Sequence, residues 1–140
     1  MKKNIETIKL KPVTKNDYKF LYKLLEERDQ RVNISHKKMP TYSEHIRFVK
    51  SKPYSKWYVI KSKNNKVGTV YLSKQNEIGI FIVKKFQGQN IGKGALALLI
   101  KQTKQNRYLA NVSPKNTHSA HFFLKNGFKL IQHTYLLELN

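Results

Sequence analysis

Cysteine is absent from this chain of 140 residues. Its absence excludes disulfide bonds, thiolate metal sites and a cysteine nucleophile, and it fits the reducing cytoplasm, where we expect the protein to act. No apolar run approaches the roughly 20 residues that a membrane-spanning helix needs. Residues 1–4 contain no apolar signal core. We therefore expect neither a membrane span nor a secretory signal.

Acidic residues are scarce: the chain has 8 Asp and Glu and 28 Lys and Arg, which gives a net charge of +20. Such a charge attracts anions, and nucleic acid is the first partner to consider. However, the charge consists mostly of lysines spread over nearly every segment, whereas nucleic-acid surfaces depend on clustered arginine and stacked aromatics. We favour a lysine-rich surface that attracts an anionic cofactor, with a basic nucleic-acid-binding module as the alternative.

Linkers, repeats and low-complexity tracts are also missing, which indicates a single domain over residues 1–140. Two capping boxes, at residues 14–17 and 41–44, predict helices that end near Arg28 and before Pro53. Further helices are predicted over 91–104 and 116–125. Strands are predicted over 7–13, 57–61, 67–73, 77–83 and 108–112, with one long strand or two short ones over 128–139. This order is typical of a mixed α/β sheet.

A loop with three glycines joins the apolar strand 77–83 to the apolar helix 91–104. The first turn of a helix has unpaired N–H groups and a partial positive charge, and a pyrophosphate satisfies both. Glycine lets the backbone approach a ligand, and asparagine tolerates left-handed dihedrals. An ordinary strand-to-helix turn is the alternative. The predicted binding residues are Gln87, Gly88, Gln89, Asn90, Ile91, Gly92, Lys93 and Gly94.

Two motifs in this order resemble the GNAT superfamily of acetyltransferases. Gln87 and Gly92 match the outer positions of its acetyl-CoA signature, and Asn90 replaces the first glycine. Residues 116–128 are similar to the asparagine-to-Gly-Phe segment of the family. Together the motifs cover about residues 77–128.

The resemblance implies a single-domain, mostly antiparallel mixed sheet flanked by helices, with splayed central strands. It implies an acceptor-side half over about residues 1–75 and an acetyl-CoA-binding half over about 76–140. Backbone groups of Ile80, Phe81, Ile82 and Val83 would bind the pantetheine arm, and the acetyl group would lie where the strands near Val83 and Tyr108 diverge. Asn116 would bind the cofactor near its reactive end, although a plain helix N-cap also suits its position.

For the chemistry, Glu77 is the only charged residue between Gln75 and Val83. We expect desolvation at the mouth of an apolar strand to raise its proton affinity, which suits a general base, as in some family members. A structural glutamate paired with a lysine is the alternative. Phe123 occupies the position where many relatives have an acid tyrosine, so the resemblance implies a cofactor contact there without that acid. Tyr108 and Tyr135 could replace it, but core or edge positions suit both better.

The acceptor-side half contains His36 and His45, and one of them facing the acceptor is the functional interpretation. Solvated histidines are the alternative. No metal site is expected, because no cysteine or carboxylate-rich set accompanies them. The resemblance implies direct transfer from acetyl-CoA to a small-molecule primary amine, such as a nucleotide-linked amino sugar. A protein N-terminus or lysine is the alternative acceptor, and we expect a monomer or homodimer.

Overall fold

The computed structural model describes residues 8–28 and 39–139. The chain forms four strands and four helices within these ranges. In chain order they are β1 (Ile8–Pro12), α1 (Tyr18–Glu27), α2 (Tyr42–Lys50), β2 (Lys56–Ser62), β3 (Asn65–Leu72), β4 (Ile78–Ile82), α3 (Ile91–Thr103) and α4 (Thr117–Lys125). Short 3₁₀ turns at Lys15–Asp17 and Lys84–Phe86 precede α1 and follow β4. None of the helices in the described ranges is long and apolar enough to cross a membrane.

Both predicted capping boxes are confirmed. The Asp17 carboxylate accepts from the Thr14 N–H at 2.8 Å, in a 3₁₀ turn that leads into α1. The Thr41 N–H donates to Glu44 Oε1 at 2.8 Å, and the Glu44 N–H donates back to Thr41 Oγ1 at 3.1 Å. These bonds satisfy N–H groups that the helices cannot pair internally, so they determine where each helix begins.

The four strands form an antiparallel sheet in the order β1-β2-β3-β4. Side chains alternate between its two faces. One face packs against α3, and the other lies under α1 and α2. The α3 side forms the main hydrophobic core, made by Ile8, Ile60, Val67, Val70, Leu72, Ile78, Ile91, Ala95, Leu96 and Leu99.

The predicted strand over 108–112 is reduced to one parallel bridge between Glu77 and Leu109. The Ile78 N–H donates to the Leu109 carbonyl at 2.7 Å, and the Leu109 N–H donates to the Asn76 carbonyl at 2.9 Å. Beyond this bridge, no ladder joins β4 to residues 110–112. The mostly antiparallel sheet with diverging central segments is therefore confirmed, and among the described residues it leaves one edge of β4 open beyond this bridge.

The prediction of strand structure over 128–139 is wrong. Residues 129–139 form no strand and are exposed, as shown by Tyr135 at 89% and Leu139 at 85%. Alternating apolar residues form a strand only where a neighbouring strand supplies hydrogen bonds and a surface to pack on. In the described part of the chain, no such neighbour lies beside this segment.

Candidate active site

Glu77 lies directly before β4, where that strand meets the Leu109 bridge. Its Oε1 accepts from Ser73 Oγ at 3.2 Å, and its Oε2 accepts from Asn111 Nδ2 at 3.1 Å. The side chain is only partly buried, and no lysine of the described residues forms an ion pair with it. The expected apolar surroundings are therefore replaced by two polar donors, which hold the carboxylate in place and leave it accessible.

The loop before α3 has the backbone conformation that its sequence predicts. Asn90 is left-handed, with φ of 62°, and Gly88 has φ of 82°. Asn90 makes no side-chain cap, and the first helical bond runs from the Gly94 N–H to the Asn90 carbonyl at 3.1 Å. The N–H groups of residues 91–93 precede that bond and have no partner within the helix. Together with the exposed Lys93, this uncapped end of α3 suits a pyrophosphate.

Two glycines of this loop have packing roles that were not expected. A Cβ on Gly92 would lie 3.3 Å from Cε1 of Phe122, so the absence of a side chain lets α4 approach α3. Gly94 is buried within α3. By contrast, a Cβ on Gly88 would meet no atom within 4 Å. Gly88 therefore has open space around it and a positive φ that favours glycine, and its close approach to a ligand stays a prediction.

The register of β4 shows which backbone groups its open edge presents. The Val83 N–H donates to the Val67 carbonyl at 2.8 Å, and Phe81 pairs with Thr69, so both residues direct their backbone groups toward β3. Backbone groups alternate along a strand, so those of Ile80 and Ile82 point to the open edge. Gln87 Nε2 donates to the Ile82 carbonyl at 3.0 Å. Of the four expected residues, only Ile80 and Ile82 direct backbone groups to this edge, and their contact with a pantetheine arm stays a prediction.

Asn116 and Phe123 lie on α4. Asn116 is the N-cap, because its Oδ1 accepts from the Ser119 N–H at 3.1 Å. Phe123 is half-buried against the core, with its ring 5.1 Å from that of Phe122 and 5.0 Å from that of Phe128. The capping interpretation of Asn116 is confirmed, and its contact with a cofactor stays a prediction, as does that of Phe123.

Neither tyrosine considered as an acid is suited to that role by its surroundings. The Tyr108 hydroxyl lies 2.7 Å from Thr103 Oγ1 and accepts from the Gln105 N–H at 2.8 Å, so it secures the end of α3. Tyr135 lies in the exposed segment 129–139.

A cavity of about 350 Å³ lies between α1, α2 and the sheet face opposite the main core. Five of its thirteen lining residues are aromatic, namely Phe48, Tyr54, Trp57, Tyr71 and Phe81. The rings of Tyr54 and Tyr71 stack at 3.8 Å with planes 4° apart, and the Tyr54 ring meets that of Trp57 edge-on at 4.8 Å. Arg28 and Phe81 also line this cavity, with the guanidinium carbon 3.9 Å from the ring centroid. Arg28, Tyr71 and Asn111 were not predicted from the sequence as site residues.

Glu77 does not itself line the cavity, and β4 has no side chain at Gly79, between Glu77 and Phe81. A Cβ at that position would collide with the Tyr71 ring, so Tyr71 crosses β4 at this point. Glu77, Gly79 and Phe81 share one face of the strand by alternation. Burial raises the pKa of Tyr71, the charge of Arg28 opposes this rise, and the charge of Glu77 adds to it. The Tyr71 hydroxyl is therefore influenced by both charges.

His45 also lines the cavity and is buried. Its Nε2 lies 3.1 Å from the Tyr18 carbonyl and must donate to it, which sets the tautomer. Burial lowers the pKa of His45, and the bond to Tyr18 opposes the shift only in part. The imidazole is therefore neutral at pH 7.

His36 lies outside the described residues. Within 8–28 and 39–139, no three His, Asp or Glu side chains form a group that could hold a metal ion.

One protein family matches most of the sequence. The sequence profile of the Acetyltransferase (GNAT) family matches residues 18–128, a range that includes α1, α2, Glu77 and the loop before α3. No curated protein sequence matches the chain.

Solved structures share the fold over most of the chain. A domain from Methanocaldococcus jannaschii DSM 2661 is 25% identical, with a TM-score of 0.76 over 91% of each chain. An acetyltransferase from Thermus thermophilus is 20% identical, with a TM-score of 0.74 over 92% of this chain and 91% of that one. Spermidine N-acetyltransferase from Vibrio cholerae, in complex with CoA and spermine, is 16% identical, with a TM-score of 0.80 over 91% of this chain and 84% of that one.

Proposed function

Because the chain belongs to the GNAT family of acetyltransferases and is an acyl-CoA-dependent N-acetyltransferase, we propose that it transfers an acetyl group directly from acetyl-CoA to a small primary amine held beside Glu77. The observation that carries this proposal is the position of Glu77. Its carboxylate is held by Ser73 and Asn111 where β4 diverges from residues 110–112, and it lies on the strand face that leads into the aromatic cavity.

We assign the cofactor to residues 76–140 and the acceptor to residues 1–75 together with the cavity side of β4. Acetyl-CoA, when bound, supplies the acetyl group as a thioester. The uncapped N-terminus of α3, with Gly88 and Lys93, has the donors and the charge for the pyrophosphate. Ile80 and Ile82 present backbone groups along the open edge, which runs from this loop toward Glu77. Asn116 and Phe123 are assigned to the same cofactor on the family resemblance alone.

Glu77 has the chemistry of a general base for this reaction. An amine is mostly protonated at neutral pH and cannot attack a carbonyl until it loses that proton. Ser73 and Asn111 fix both carboxylate oxygens, which keeps the base oriented toward the opening between β4 and residues 110–112. A thiol has a pKa of about 8.5 and leaves without an acid, which suits the phenylalanine at position 123. The absence of cysteine supports direct transfer rather than a thiol acyl-enzyme.

The acceptor is proposed to be small because of the cavity. At about 350 Å³ it lies near the lower end of ligand pockets, which span roughly 300–1,000 Å³. It would enclose an amino-acid-sized or monosaccharide-sized group. A nucleotide-linked amino sugar would place only its sugar in the cavity. We assign His45, which lines the cavity, to acceptor binding.

The test is acetyl-CoA turnover with a panel of amines, measured as release of free CoA. The wild type should bind acetyl-CoA in titration calorimetry and release CoA with at least one small amine. Glu77→Gln should keep the binding and lose the turnover, whereas Glu26→Gln, an exposed α1 carboxylate, should behave as wild type. Turnover with peptides and none with small amines would show that the acceptor is a peptide or protein and not a small amine. Absence of acetyl-CoA binding would overturn the proposal.

A further inference from the structure

Arg28 places a guanidinium group in the aromatic cavity, and one of its N–H donors has no hydrogen-bond partner among the described residues. It follows the last residue of α1, and its guanidinium contacts the ring of Phe81. The Nε atom is buried and has no hydrogen-bond partner in the described part of the chain. A buried donor without a partner costs free energy, so native proteins rarely leave one unless a ligand or water completes it.

The described residues around Arg28 provide no neutralising carboxylate. Glu44 is the only acidic residue among those that line the cavity; it is exposed, and its Oε1 is used by the Thr41 N–H. No salt bridge joins Arg28 to a carboxylate within residues 8–28 and 39–139. Burial lowers the pKa of Arg28, and electrostatic interaction with Tyr71 and Tyr54 opposes that shift only partly. An anion in the cavity would satisfy both the charge and the free donor.

Arg28 and Glu77 both act on the side chain of Tyr71. The Tyr71 ring crosses β4 at Gly79, and its hydroxyl is influenced electrostatically by both residues. Arg28 and Phe81 line the cavity, and Glu77 shares the strand face of Phe81, so a molecule that extends from the cavity along this face can meet both the cation and the base. We infer that the acceptor amine also carries an anionic group, a carboxylate or a phosphate, that binds the Arg28 guanidinium within the aromatic cavity. This inference rests on the proposed function, because it names the class of its acceptor.

The charge of the whole protein favours the same class. With 28 basic and 8 acidic residues, the protein repels polycations and attracts anions from a distance. A polyamine would bring positive charge to a cavity that already contains Arg28. The Vibrio cholerae enzyme bound to spermine shares the fold at 16% identity, and that identity does not carry its acceptor over to this chain. We expect polyamines to be poor acceptors here.

The first test measures binding without catalysis. Trp57 is the only tryptophan and lines the cavity, so its fluorescence reports occupancy. Phenylacetate and phenyl phosphate carry the two candidate anions on an aromatic ring, and phenylacetamide is the neutral control. The wild type should bind at least one anion about tenfold more tightly than the amide. The tighter anion identifies the group, whether carboxylate or phosphate.

Variants at Arg28 test whether this residue causes the preference for anions over the amide. Arg28→Met keeps apolar packing and should lower anion affinity at least about tenfold, with amide binding unchanged. Arg28→Lys keeps the charge but loses the planar fork, so it should lie in between, and it carries the test if the Met variant does not fold. Arg47→Met, an exposed arginine on α2, is the matched control. Equal binding of amide and anions, no binding of either anion, or unchanged affinity in both Arg28 variants would overturn the inference.

Turnover separates this inference from the proposed function. Amines that carry a carboxylate or phosphate should show at least about tenfold higher kcat/KM than their neutral analogues, and Arg28→Met should remove the difference through KM. Transfer to neutral amines or polyamines with equal efficiency would overturn the anionic acceptor and leave the acetyltransferase intact. Anion binding at Trp57 without transfer to any amine would instead remove the proposed function and keep the site.

Discussion

The Nδ2 atom of Asn111 lies 3.1 Å from Oε2 of Glu77, although the two residues are 34 positions apart. This bond crosses the point where β4 and the segment after Leu109 begin to diverge. It therefore orients the proposed base at the opening where the thioester is expected. Ser73 supplies the second bond from the turn before β4.

Replacement of Glu77 tests the base directly. Glu77→Gln keeps the shape of the side chain and its contact with Ser73, so affinity for CoA should not change. Turnover should fall by roughly 10²–10⁴-fold. The loss should shrink as pH rises, because more of the amine is then already deprotonated. The measurement is kcat against pH for both proteins, and equal rates across the range would make Glu77 structural.

Asn111 is expected to act through Glu77. Asn111→Ala should lower kcat by less than Glu77→Gln does, because the carboxylate remains but loses one of its two donors. In the Glu77→Gln background the same change should have little further effect, since residues that act as a unit are not additive. Asn106→Ala, an exposed asparagine, is the control. Additive losses in the double variant would show that Asn111 has a separate role.

The cofactor site is tested at the start of α3. Lys93→Glu reverses an exposed charge beside the uncapped N–H groups, and we expect the Kd for CoA to rise at least about tenfold. Lys101→Glu makes the same change near the other end of the helix and should alter the Kd far less. Gly92 is a poorer test, because any side chain there meets Phe122. Calorimetric Kd values that shift equally in both lysine variants would point to general charge attraction.

Gly79 should be intolerant of even one methyl group. Gly79→Ala forces the Tyr71 ring away from β4, and overpacking of this kind typically costs about 1–3 kcal/mol. Because Tyr71 also lines the acceptor cavity, KM for the amine should rise with the loss of stability. In a Tyr71→Leu background the added methyl should cost less, as measured by thermal unfolding. An equal cost in both backgrounds would contradict the proposed contact.

The sequence predicted those features that depend on local chemistry. The capping boxes, the left-handed Asn90 and the position of Glu77 at the start of β4 follow from residue types over a few positions. Asn111 and Arg28 were missed because their importance comes from which distant residue they approach. The side chains of Tyr71 and Phe81 lie on the sheet face opposite the core. The alternation of side chains along β3 and β4 was the sequence signal that could have placed both on that face. The strand prediction for residues 128–139 was wrong because alternating apolar residues indicate a strand pattern but do not show whether a neighbouring strand is present to pair with it.

His45 should make the folded protein sensitive to acid. Its pKa in the folded protein is lowered from the usual 6.5, so an unfolded chain takes up this proton at a higher pH than the folded one. The stabilisation is present above about pH 6.5 and declines as pH falls toward the folded pKa, by at most about 1.4 kcal/mol per pH unit for one proton. We expect the Tm of wild type to fall between pH 7.5 and 5.5 by more than that of His45→Gln, whose amide can still donate to the Tyr18 carbonyl. His118→Gln removes an exposed histidine and should keep the wild-type slope. If all three proteins share one slope, the acid sensitivity does not come from His45, and the buried imidazole is not held neutral by its burial.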